Sequence, residues 1–207
     1  MKGQGRVAAI ALAAGLSRRL GRGNKLLLDF NGKHLFSHTL ERIAAADFAA
    51  RIVVTNYLEI QAYGVAAGFA VTGNPASADG VASSIRAGLS AAGPAAGYMF
   101  FNCDQPLLSA LVITEILAAF YRTDKIIIPT VAGCCYSPCL FPQRFKAELL
   151  ALSGDQGGKT VYKKHHAEAA FVAFAEATDF MDIDVLDDRE ELIRRSYGGP
   201  RDVFHKL

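Results

Sequence analysis

The chain has no apolar run long enough to cross a bilayer. The longest, Val7 to Leu16, covers ten of its 207 residues, where roughly 20 are needed. It also has almost no excess charge. Lys and Arg number 22 against 20 Asp and Glu, a formal net charge of +2, which excludes general electrostatic capture of nucleic acid or a membrane surface. Cysteine is sparse: Cys103, Cys134, Cys135 and Cys139 are too few for a disulfide scaffold in a chain this size. The cluster Cys134-Cys135-x3-Cys139 lacks the second CxxC or HxxxH pair of a zinc site. Small buried or half-buried thiols in a reducing compartment, the cytoplasm, are expected, with a thiolate role for Cys134 or Cys135 as the alternative. There is no internal repeat, no low-complexity tract and no linker between unlike compositions, so residues 1–207 read as one domain. GxxxxGK[ST] is absent, and no GxGxxG follows a strand.

What is present is a composition for a well-buried core, 51% apolar and 20% charged. Val7–Leu12, Arg51–Thr55, Phe69–Thr72, Tyr98–Asn102 and Ile126–Pro129 read as short buried strands. His38–Phe48 and Gly80–Ala92 carry helical apolar spacing, and Ser109 can cap a helix running to about Tyr121. Leu140-Phe141-Pro142 leads into a helix around Phe145–Leu152. Ala169–Phe174 and Met181–Val185 read as late strands, with Asp187 or Asp188 opening a C-terminal helix. His165 and His166 fall in a helical stretch and read as surface residues. Strands alternating with helices predict an α/β fold with a mostly parallel sheet, Rossmann-like, with helices on both faces. Ligands in such sheets bind at the carboxyl ends of the strands, which nominates the loops after Leu12 and after Asn102.

The segment "RVAAIALAAGLSRRLGRGNKLLL", Arg6 to Leu28, admits two readings. Its apolar first half, with Lys2 and Arg6 ahead of it and Ala11-Leu12-Ala13 within it, has the form of a secretion signal. Positive charge directly after a cleavage site opposes translocation, however, so a buried strand feeding a working loop is the expectation. In that loop Gly15, Gly21 and Gly23 allow sharp turns, and Arg18, Arg19, Arg22 and Lys25 bring four cations beside Ser17. Turn amides and arginine forks suit phosphate oxygens, so the loop points to a polyphosphate; a solvated basic loop is the alternative.

Polyphosphate chemistry calls for Mg²⁺ held by one or two carboxylates. Asp104 ends a buried strand before Pro106, where a metal ligand and an ordinary turn aspartate are both possible. In "MDIDVLDD" Asp182 and Asp184 alternate with Met181, Ile183 and Val185, which places both carboxylates on one strand face. A metal role and a plain edge-strand role stay open for them.

Taken together, "LAAGLSRRLGRGNKLLL", "GVASSIRAGL", "CDQPLL", "SPCLFP", "LLALSGDQGGK" and "MDIDVLDD" resemble a known family. The first is similar to the LAAGxSxRMGxxNKLL signature of nucleotidyltransferases of the nucleotide-diphospho-sugar transferase fold type. The set is most similar to the molybdenum cofactor cytidylyltransferases of molybdenum hydroxylase maturation, in the same order, from residue 7 to about 190. The resemblance implies that Leu12, Ala13, Ala14, Gly15 and Ser17 form the nucleotide cradle. It implies that Arg19 steadies the departing pyrophosphate, that Lys25 meets the α-phosphate, and that Gly80, Ser83 and Ser84 border the nucleobase. Asp104 is implied as the principal Mg²⁺ ligand and Asp184 as the second, with Gly154, Asp155 and Gly157 facing the acceptor. Ala14-Gly15 stands where guanylyl-transferring relatives carry a double glycine, which implies CTP.

The implied activity is transfer of CMP from Mg-CTP to the phosphate of a molybdopterin-type cofactor; an apo molybdenum hydroxylase is the partner considered, and a monomer is expected. Transfer to another phosphorylated small molecule is the alternative, or a non-catalytic chaperone of hydroxylase maturation. "GCCYSP" departs from the family's pattern near the implied acceptor site. Val81-Ala82 stands in place of Met-Gly, and His34 in place of the usual proline.

Overall fold

A computed structural model describes residues 6–15 and 24–183. Its strands are β1 (Ala8–Leu12), β2 (Asp29–Phe30), β3 (Lys33–His34), β4 (Ala50–Val54), β5 (Ala70–Thr72), β6 (Gly97–Asn102), β7 (Ile126–Val131), β8 (Cys134–Cys135), β9 (Cys139–Pro142) and β10 (Ala169–Ala173). The helices are α1 (Leu35–Ala45), α2 (Leu58–Ala66), α3 (Val81–Ala92), α4 (Ala110–Thr123), α5 (Lys146–Leu150) and α6 (Gly158–Lys164). The main sheet runs β10-β7-β9-β6-β1-β4-β5, with β8 added beside β7. β1 pairs in parallel with both β4 and β6, β4 with β5, and β7 with β10; β9 runs against β6 and β7. β2 and β3 form a separate hairpin closed by Asn31-Gly32, whose φ values of 53° and 81° suit that dipeptide.

Strand pleating explains the layers. In β1, Ala9 and Ala11 face one side with Val53, Met99 and Phe101, where Leu40 of α1, Ile60 of α2 and Ile116 of α4 cover them. Ala8 and Ile10 face the other side with Ile52, Val54 and Phe100, beneath Leu89 of α3, Leu149 of α5 and Val161 of α6. A strand of small residues lets the helices come close. A Cβ added to Gly88 of α3 would lie 2.4 Å from Ile10 Cγ2 and 3.2 Å from Val54 Cγ2. Gly88→Ala, which in an exposed helix would stabilise, is therefore expected to destabilise by about 1–3 kcal/mol through overpacking. Denaturant unfolding measures this, and an increase in stability would contradict the close packing.

The mostly parallel α/β sheet is as the sequence predicts, with boundaries shifted by a few residues. Three local expectations are corrected. Leu140–Pro142 belongs to antiparallel β9, and the helix after it is a 3-10 turn (Gln143–Phe145) followed by the short α5. Residues 181–183 do not form a strand; a backbone bond from the Ile183 N–H to the Asp104 carbonyl at 3.0 Å ties them to the turn after β6. His165 is more than a surface residue. Its ring lies 5.0 Å from that of Phe145, and its Nε2 is 2.8 Å from a Glu148 carboxylate oxygen. The proposed C-terminal helix lies outside the described residues. No described helix is long and apolar enough to cross a membrane.

Candidate active site

The chain passes from β1 out to β4 and β5 on one side, then returns to β6 on the other side of β1. Such a reversal opens a crevice at the carboxyl ends of the two central strands. Register brings Leu12 opposite Asn102, so the loop after β1 and the Cys103-Asp104 turn emerge side by side. Above them lies a cavity of about 650 Å³. Leu12, Ala14 and Gly15 line it from β1, Lys25 and Leu26 from the following turn, and Asn102, Cys103 and Asp104 from β6. The far wall is Ser77 to Val81 with Ser84, closed by Asp155.

Lys25 stands at the start of a 3-10 turn, Lys25–Leu27, capped by Asn24, whose Oδ1 accepts from the Leu26 N–H at 3.0 Å. Leu26 is buried and anchors the turn. Lys25 Nζ reaches Asp104 Oδ2 at 2.5 Å, with side-chain exposures of 20% and 17%. The other carboxylate oxygen, Asp104 Oδ1, is buried and has no hydrogen-bond partner among the described residues. An anionic oxygen in that state is costly unless a cation or donor meets it. Besides the Lys25 pair, the Asp104 turn is tied to a later segment of the chain: the Asp104 backbone carbonyl accepts the Ile183 N–H, and the neighbouring Gln105 side chain donates from Nε2 to the Phe180 carbonyl at 3.2 Å.

The opposite wall depends on a close approach. Gly80 has φ 90°, and an added Cβ would lie 2.4 Å from the Gly154 carbonyl carbon and oxygen and 2.5 Å from Asp155 Oδ1. Ala82 N–H donates to the Gly154 carbonyl at 3.1 Å. The loop 153–157 therefore clasps the start of α3.

A second cavity, about 380 Å³, shares Leu12, Val81 and Asn102 with the first. Phe100, Tyr136, Phe141, Tyr162 and Phe180 give it aromatic walls, and Lys159, Asp182, Cys135 and Cys139 add polar or polarisable groups. Burial, then the neighbouring Cys135, pushes the Cys139 thiol up to about 12. Partial burial and a hydrogen bond with Cys135 push the Tyr162 hydroxyl up to about 12. Burial, with the Asp104 charge beside it, raises Cys103 as well. Cys103 and Cys139 therefore stay protonated near neutral pH and are poor nucleophiles. No cluster of three or more metal-ligating side chains occurs among the described residues.

Of the residues expected from the sequence, Leu12, Ala14, Gly15, Lys25, Gly80, Ser84, Asp104 and Asp155 meet at the first cavity. Asp155 lies on this wall, whereas Gly157 lines the second cavity. Ala13 is fully buried, its N–H on the Val54 carbonyl at 2.8 Å. Ser83 points back into the wall, its hydroxyl donating to the Gly80 carbonyl at 2.7 Å. Gly154 acts through its carbonyl. Ser17, Arg19 and Asp184 lie outside the described residues. Sequence reasoning missed Tyr57, whose hydroxyl donates to the Gly15 carbonyl at 2.9 Å, and the pair Asn56 and Asn74. A tyrosine or asparagine in a loop carries no spacing signal of its own.

A model of the MobA-like NTP transferase domain matches residues 9–169. No curated protein matches the chain. Among solved structures, Rv0371c from Mycobacterium tuberculosis H37Rv is 24% identical with a TM-score of 0.80, over 91% of this chain and 98% of that one. The same mycobacterial protein has been solved in complex with manganese, with a TM-score of 0.66 to this chain, 24% identity and coverage of 91% and 98%. A nucleotidyl transferase from Methanothermobacter is 19% identical, TM-score 0.74, covering 92% and 99%. Molybdopterin-guanine dinucleotide biosynthesis protein A from Archaeoglobus fulgidus is 16% identical, TM-score 0.68, covering 92% and 98%.

Proposed function

The chain belongs to the MobA-like NTP transferase domain family and is a nucleotidyltransferase, and from that premise we propose that it transfers CMP from CTP to the terminal phosphate of a molybdopterin-type cofactor, releasing pyrophosphate. One observation carries the reading: the Lys25–Asp104 pair at the strand ends, with Asp104 Oδ1 buried and awaiting a positive partner.

Asp104 fits a hard divalent cation, because its donors are oxygens and one of them is unmatched. The resemblance assigns Asp184 as a second carboxylate, and the Ile183–Asp104 backbone bond supports the assignment by tying that segment to the site. The manganese complex of Rv0371c supports divalent metal use; Mg²⁺ is the proposed ion. When bound, such an ion neutralises phosphate charge and orients the pyrophosphate to leave.

The chain's own residues do the rest. Lys25 supplies an ammonium where charge grows on the transferred phosphoryl group, and Arg19 is the proposed cation for the departing pyrophosphate. The acceptor phosphate, held from the second cavity, carries its own nucleophilic oxygen, so no general base is required. Catalysis is then positioning and charge stabilisation. The seam shared by the two cavities, Leu12, Val81 and Asn102, is where donor and acceptor would meet.

The proposal of CTP rests on the resemblance, in which Ala14-Gly15 stands where guanylyl-transferring relatives carry a double glycine. GTP is the second reading, because Asp79 and Asp155 line the first cavity, and a carboxylate there can accept from cytosine N4 or from guanine N1 and N2. Incubation with each of the four nucleotides, Mg²⁺ and purified molybdenum cofactor, with pyrophosphate as readout, should give release with CTP. Release with GTP alone would transfer the assignment to the guanylyl branch. Saturating CTP with Mg²⁺, at a hundred times its Kd, should also raise Tm by about 5–10 °C. No shift with any nucleotide would contradict the site.

A further inference from the structure

The wall that faces Lys25 across the cavity rests on a side chain that does not itself line the cavity, Asn74. It is 2% exposed. Asn56, just past β4, donates from Nδ2 to the Asn74 carbonyl at 2.7 Å and accepts the Asn74 N–H on Oδ1 at 2.7 Å. These reciprocal bonds extend the β4–β5 pairing past its end and fix the Asn74 backbone.

The Asn74 amide can then take only one orientation. The Ala76 N–H, which can only donate, lies 3.1 Å from Asn74 Oδ1. Nδ2 must therefore point the other way, and its two hydrogens go to Ser83 Oγ at 2.8 Å and Ser84 Oγ at 2.9 Å. Both hydroxyls are thereby acceptors. Ser83 sends its own proton to the Gly80 carbonyl. Ser84 is 7% exposed and lines the cavity, and nothing among the described residues accepts its proton. Before a ligand binds, water can accept that proton, and a bound ligand that displaces the water must offer an acceptor in its place or lose the hydrogen bond.

We propose that Asn74 is a positioning residue that locks the Ser84 hydroxyl as a hydrogen-bond donor into the cavity, so that a bound nucleotide must present a carbonyl or ring-nitrogen acceptor of its base at Ser84. This rests on the nucleotide reading of the cavity. It follows that the hydrogen-bond polarity of this wall is set two shells from the ligand, by Ala76 acting through Asn74.

The test is a double-mutant cycle on binding, with CTP and inorganic tripolyphosphate, each with Mg²⁺, titrated by calorimetry. Ser84→Ala should raise the Kd for CTP by about tenfold and leave that for tripolyphosphate, which has no base, unchanged. Asn74→Asp keeps the acceptor for Ala76 but turns the donor into an acceptor, so the Ser84 proton swings back to the carboxylate. It should also cost about tenfold for CTP, and less than about twofold further in the Ser84→Ala background. The same tenfold loss in both backgrounds would mean that Asn74 acts on the wall in general, and would overturn the proposal. Should Asn74→Asp not fold, Ser84→Ala decides alone: an unchanged CTP Kd overturns it. A wild-type chain that binds tripolyphosphate as tightly as CTP refutes the base contact, while one that binds neither refutes the nucleotide reading itself.

Discussion

Lys25→Ala is expected to slow nucleotidyl transfer by about a thousandfold, because one preorganised charge at a phosphoryl centre is worth about 10²–10³ in rate. The fold should survive. Lys25 opens its turn with a side chain that lines the cavity, while Asn24 caps that turn and Leu26 carries its burial. CTP affinity should fall far less than the rate, since the lysine acts mainly where charge develops in transfer. Asp104→Asn is the matched variant. It keeps the shape of the side chain and the carbonyl that receives the Ile183 N–H, but removes the charge that pairs with Lys25 and would bind the metal. It should lose activity on the same scale and no longer respond to Mg²⁺ titration. Single-turnover pyrophosphate release measures both variants, and near-normal release from either would overturn the mechanism.

Gly80→Ala is expected to destabilise the protein by about 3 kcal/mol, combining strain at a left-handed backbone position with overpacking. At φ 90° and ψ 179° an alanine is strained before any contact is considered. Its Cβ would also meet Gly154 backbone at 2.4 Å, and backbone cannot step aside as a flexible side chain can. Relief requires the loop 153–157 to withdraw from α3, which breaks the Ala82–Gly154 bond and opens the wall that carries Ser84 and Asp155. Tm should drop by about 6–12 °C for a chain of this length, and CTP should no longer stabilise it. Gly154→Ala is the control: that residue also has positive φ, 57°, but nothing lies within 4 Å of the added Cβ, so about 1 kcal/mol is expected. Equal losses for the two variants would contradict the clasp.

Much of the site was legible because its parts sit at element ends that periodicity reveals. The apolar run through Leu12 stops at small residues and glycine, and "YMFFN" stops at Asp104, so both strand ends could be placed before any coordinates. Gly80 to Ala92 showed its helix through Ile85 and Leu89. Other elements left weaker traces. α2 buries little beyond Ile60 and Gly64 and leaves Leu58 and Val65 exposed, so it has no apolar stripe to read. The alternation in "MDIDV" imitates a strand, yet residues 181–183 are not one, and the Ile183 N–H goes to the Asp104 carbonyl in the turn after β6. The Asn31-Gly32 turn carried its own signal, and the hairpin could have been found from it.

The sequence by itself determined the parallel α/β class, the two strand ends at which the candidate site lies, and the presence of a basic and an acidic half. Each of these is local, written in side-chain period, glycine placement and charge. Tertiary structure decided the rest. It inserted β9 against its neighbours, brought Lys25 to within 2.5 Å of a residue 79 positions away, set the 153–157 loop on Gly80, and used Asn74 to turn Ser84 outward. These depend on which atoms meet across the fold, and on the rule that a buried polar group takes whatever partner the packing leaves it.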